Sequence, residues 1–144
     1  MPHLEFFVVS ESVSVDQITN RVSVFNILDR LVPQRFPALL PKCVAVCCLD
    51  LDEGEVGEDF QAMIRITTPE DEEVREFRAN FRPAGPSARV FHRFAGIPVR
   101  AQGTMRFEFL VNNDSKATHR ITVEAADPGA PSDGTLVYHG QPAD

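Results

Sequence analysis

The chain contains no tryptophan, one tyrosine and three cysteines in 144 residues. An odd number of thiols, gathered as Cys43, Cys47 and Cys48, argues against a disulfide framework and suits a reducing compartment. They also lack the paired spacing of a zinc site, since Cys43 and Cys47 on one strand stand about 13 Å apart. They read instead as small buried apolar side chains. No apolar run approaches the roughly 20 residues of a membrane span, and the N-terminus lacks the basic start and apolar stretch of a signal peptide. The expectation is a cytoplasmic protein with no membrane partner.

Catalytic signatures are missing too. No serine sits in a G-x-S-x-G elbow, no glycine-rich phosphate loop occurs, and His3, His92, His119 and His139 are scattered, so no Cys-His pair has local support. An enzyme is not expected, and no cofactor is implied.

What the chain does have is eleven phenylalanines and 43% hydrophobic residues against 24% charged. A chain of this length buries roughly two-thirds of its unfolded surface and needs no staples. Residues 103–111 show the repeating unit. Met105, Phe107, Phe109 and Val111 alternate with Thr104, Arg106 and Glu108, as in a strand with one buried face, and Leu110 alone breaks the pattern. Similar runs cover residues 4–13, 22–31, 42–51, 60–67, 74–81, 88–94 and 119–124. Residues 16–21 supply turn formers for a hairpin between the first two runs. A helix over residues 18–31 is disfavoured by its β-branched content.

Pro33, Pro37 and Pro41 mark a crossing loop. Residues 42–51 are apolar on both faces, as in a central strand. Within 60–67 the inward set is Phe60, Ala62, Ile64 and Ile66; within 88–94 it is Val90 and Phe94, with His92 at the surface or rim.

Eight short strands without βαβ alternation predict an all-β fold, an antiparallel two-sheet β-sandwich of Ig-like or C2-like kind, with an eight-strand barrel as the alternative. Residues 1–126 form the single domain of this reading, and residues 127–144, rich in Pro and Gly, a flexible tail.

The net charge of −7 disfavours general attraction to nucleic acid. Its distribution is uneven. Ten of the 21 acidic residues lie between Asp50 and Glu73 against Arg65 alone, whereas residues 74–106 carry seven arginines against Glu76. Two candidate surfaces follow. Arg78, Arg82, Arg89, Arg93 and Arg106, with Phe91 among them, are expected on one outer sheet face, which suits a protein partner or a second copy of the chain better than single-stranded nucleic acid. If the strands simply alternate in direction, Asp16, Asp50, Asp52 and Asp114 emerge at one end, where oxygen-rich loops would resemble the calcium sites of C2-type sandwiches. The competing reading is that such residues populate loops because they make turns and stay wet.

The run from Asp16 to Asp29, followed by Phe36-Pro37 and by a later strand introduced by Gly103, resembles a family of small uncharacterised bacterial proteins catalogued as a domain of unknown function. The similarity extends over residues 4–124. It implies a compact β domain from a bacterium, and brings no catalytic or ligand residue with it.

Overall fold

A computed structural model describes residues 1–70, 74–126 and 140. The proposed tail therefore lies, Gly140 apart, outside the described residues. These form eleven strands: β1 (His3–Val15), β2 (Val22–Ile27), β3 (Arg30–Leu31), β4 (Ala38–Leu39), β5 (Cys43–Asp50), β6 (Phe60–Thr67), β7 (Val74–Phe81), β8 (Ser87–Phe94), β9 (Pro98–Val99), β10 (Gly103–Val111) and β11 (Asp114–Val123). A short 3-10 turn at Glu53–Glu55 is the one helical element among them.

Nine strands make two open sheets, in the orders β2-β1-β5-β8 and β3-β11-β10-β6-β7, and β4 pairs with β9. Neither sheet closes on itself, so the barrel alternative does not describe this chain. The count of about eight strands also gives way, because the expected strand over 22–31 is divided. Asn26 adopts φ 55°, the Leu28 N–H donates to the Val9 carbonyl, and the Asp29 carbonyl accepts from Thr122. The chain thereby leaves one sheet and enters the other, where β3 runs parallel to β11. Proline chemistry agrees with the crossing loop that follows, which holds a cis Phe36-Pro37 bond.

The two sheets share one core. Phe7 stacks on Phe109 across the layers with ring centroids 5.5 Å apart, and Phe94 meets Phe77 and Phe107 edge to face. Alternation places the expected residues there. Met105, Phe107, Phe109 and Val111 are fully buried, as are Ala62, Ile64 and Ile66, with Phe60, Val90 and Phe94 nearly so. Fully burying one such side chain contributes about 1.5–3 kcal/mol.

Leu110, the misfit, points the other way and is also buried, directly opposite Met63. The β10–β11 hairpin turns on Asn112 and Asn113, both at positive φ, as a two-residue turn between twisted strands requires. β11 consequently begins at Asp114, five residues before the expected start. Gly103 is needed where β10 begins, since a Cβ there would lie 2.9 Å from the Cβ of Pro69 at a φ of 142°.

β5 is the central strand expected, between β1 and β8. Cys43, Ala45, Cys47 and Leu49 join the core, while Val44, Val46 and Cys48 point outward yet are 1%, 0% and 6% exposed. The reason is the β1–β2 hairpin. Pairing of β1 with β5 stops at Ser10 opposite Val44, and beyond it β1 pairs with β2 alone. The turn at the hairpin's tip nevertheless reaches Arg89, which lies opposite Cys48, four residues further along β5. A straight hairpin would carry that turn in the opposite direction by about 3.4 Å per residue, so the hairpin doubles back across the outer face of its sheet.

Candidate interaction surface

The five arginines are divided by the topology. β7 and β10 lie in the five-stranded sheet, β8 in the other, so Arg78 and Arg106 stand on one sheet and Arg89 and Arg93 on the opposite layer. A single outer face holding all five does not form, because β8, instead of continuing beside β7, crosses the core to pair with β5.

Three of them stand on the two edge strands, and Arg82 follows β7 directly. β7 is the last strand of its sheet and β8 the last of its own, and the Phe77–Phe94 contact, with centroids 4.9 Å apart, sets these edges side by side. Alternation directs Arg78 to the outer face of one sheet and Arg89 and Arg93 to the outer face of the other. Each is differently engaged. Arg78 lies 3.6 Å from Glu76, which also meets Arg65 at 3.5 Å. Arg82 holds Asp59 through two hydrogen bonds of 2.9 and 3.0 Å, which keep the Asp59 carboxyl below its ordinary value. Arg89 donates to Asn20. Arg93 is exposed and has no ion-pair partner among the described residues. Arg106 stands apart on β10, directly opposite Arg120.

Beside the end of β8 a cleft of about 320 Å³ opens between Glu11, Lys42, Cys43, Arg93, Phe94 and Ala95. Burial pushes the Cys43 thiol up to about 11, so at neutral pH it is a packed thiol and no thiolate nucleophile. The other two thiols are free and buried, and both are pushed up chiefly by burial. His92, expected at the surface, faces the core side opposite Ala45. Its Nε2 is buried without a hydrogen-bond partner, and desolvation lowers its proton affinity.

The four aspartates do not converge. Asp50 ends β5 opposite His3, while Asp16 opens the turn at the tip of the folded-back hairpin, where its carbonyl accepts from Asn20. The parity argument fails because β3 and β4 intervene, so that both β2 and β5 run antiparallel to β1. Asp16 Oδ1 accepts the N–H groups of Ile18 and Thr19, each at 2.8 Å; Asp50 sits against Glu5, whose carboxyl it pushes up by like charge; Asp52 opens the 3-10 turn; Asp114 pairs with Lys116 at 3.1 Å. Among the described residues no group of three or more His, Cys, Asp or Glu side chains is placed to hold a metal ion.

From sequence, Asn20 is only a turn former and Glu55 only an acidic loop residue, and neither is given the role it takes. Asn20 receives Arg89, and Glu55 is buried between the Asp52 N–H and the amino group of Met1, 2.8 and 2.5 Å away. The acid three residues after Asp52 was the available signal for Glu55, whereas the Asn20 contact spans 69 residues and left none.

The fold and this side define an all-β domain with two adjoining edges that no further strand covers among the described residues. The chain belongs to a family of unknown function, DUF6941, whose model matches residues 5–124. A search of curated proteins finds no match. Among the described residues no helix is long and apolar enough to cross a membrane.

Proposed function

We propose that this chain is a non-enzymatic interaction or assembly module, built on an open two-layer β-sandwich of Ig-like or C2-like kind, that docks protein through the side formed by β7 and β8. The observation that carries this reading is that two eight-residue edge strands lie side by side without a neighbour strand among the described residues. Unpaired edges offer rows of backbone donors and acceptors to another chain. Val74 and Phe77 on β7 remain 53% and 36% exposed, which adds apolar area to the same place. The buried free thiols are consistent with a reducing compartment such as the cytoplasm.

A photo-crosslinking amino acid at position 74, with one at Thr118 on β11 as control, tests the reading in the cells that make the protein. A discrete protein adduct from position 74 and none from 118 is the expected result. Absence of any adduct from 74, or equal smears from both, would remove it.

A further inference from the structure

We propose that the partner received by β7 is a second copy of β7, paired antiparallel about a two-fold axis to join two five-stranded sheets edge to edge; this rests on the docking side proposed above.

The argument is one of register and charge. A two-fold axis normal to the sheet keeps the core layers of both copies on the same side only when each residue meets one of its own face. On β7, Phe77 and Phe81 lie toward the core, opposite Ile64 and Phe60, while Glu76 and Arg78 lie outward, opposite Arg65 and Met63. The permitted registers therefore differ in steps that pair outward with outward residues. With Phe77 opposite the partner's Phe77, Glu76 meets the partner's Arg78, and Arg78 meets the partner's Glu76. The next register one way sets Glu76 against the partner's Glu76; the next the other way sets Arg78 against the partner's Arg78. Like charges directly opposite are unfavourable and opposite charges favourable, so of the registers that pair most of β7 this one is selected.

Phe77, partly exposed at the edge, then covers its own copy on the axis. Charged residues on an edge usually forbid pairing; here their alternating sign forbids every neighbouring register and permits this one. β8, the adjoining edge, lacks this property. Centring it on Phe91 sets Arg89 against the partner's Arg93, a repulsive pair. The β2 edge is interrupted at Asn26 by its positive φ. Charge complementarity thus points to β7 among the long edges.

Sedimentation velocity on the purified full chain tests the proposal across about 1–500 µM, a range suited to a small, edge-only contact. Wild type is expected to show a monomer–dimer equilibrium. Glu76→Arg and Arg78→Glu each place two like-charge pairs in the contact and should weaken it at least about tenfold. The double variant Glu76→Arg/Arg78→Glu restores both opposite-charge pairs and should restore the dimer. Circular dichroism melts confirm that each variant is folded. A wild type monomeric throughout the range, or a folded double variant that fails to recover association, overturns self-pairing. The crosslink at position 74 separates the two readings: an adduct to a different protein from a monomeric chain removes self-pairing and keeps the docking side, and no adduct removes both.

Discussion

Arg89 of β8 donates to the backbone carbonyl of Asn20 at 2.7 Å and to its side-chain oxygen at 3.2 Å, which ties the free edge of one sheet to the tip of the hairpin lying over that sheet. The contact closes the hairpin onto Val44, Val46 and Cys48. Asn20 adopts φ 59° at this turn, a conformation Asn tolerates better than most residues. Arg89→Ala should free the tip without unfolding the domain. Amide exchange at Val22 to Phe25 and thiol labelling of Cys48 should both accelerate, while exchange in β10 stays unchanged. Unaltered labelling of Cys48 would show that the hairpin is held by something else.

His92 makes stability depend on acidity. Burial depresses its proton affinity, so between the folded value and the ordinary 6.5 the unfolded chain binds more protons than the folded one. Its neutral form is favoured in the fold, and stability should fall as pH drops below about 6.5. His92→Leu also removes the unpaired buried nitrogen. Melting temperature measured from pH 7.5 to 5.0 should show a flatter decline for this variant than for wild type, and parallel curves would count against the assignment.

The central strand β10 should show its alternation in energies. Phe107→Ala deletes a fully buried ring between the layers and should cost about 3–5 kcal/mol. Thr104→Ala, on the outer face opposite Thr122, should stay within about 0.5 kcal/mol. Urea unfolding followed by circular dichroism measures both. Equal losses would mean that β10 does not have a single core face.

Calcium should leave the protein unchanged. Asp16, Asp50, Asp52 and Asp114 are distributed over separate turns, and the backbone donors on Asp16 hold its carboxyl below the ordinary value. This makes Asp16 a turn residue whose contribution is present above about pH 4 and is lost as pH falls through its folded value. Calorimetry of chelator-treated protein with millimolar Ca²⁺ should give no binding heat and no shift in melting temperature. A saturable heat abolished by Asp50→Asn would reverse this prediction.

Periodicity two along short segments was enough to identify the all-β class, the inward sets of β6 and β10, Val90 and Phe94 but not His92 on β8, the central place of β5 and the hairpin turn after Asp16. Each of these is local, because side-chain direction in an extended chain follows from sequence position alone. Strand neighbours are not local. Where β2 ends, Asn26 and Asp29 look like ordinary turn formers, and only the bonds of Leu28 to Val9 and Asp29 to Thr122 send the chain across to the second sheet. That crossing reverses the parity on which the aspartate cluster depended. A separate crossing after β7 takes β8 to the other sheet, so the arginines that sequence alone gathers on one face are divided between two layers. Composition and alternation thus determined which residues face a core, whereas hydrogen bonds between distant strands decided which edges stay free, because the pairing of strands is specified by long-range contacts that no short window of sequence contains.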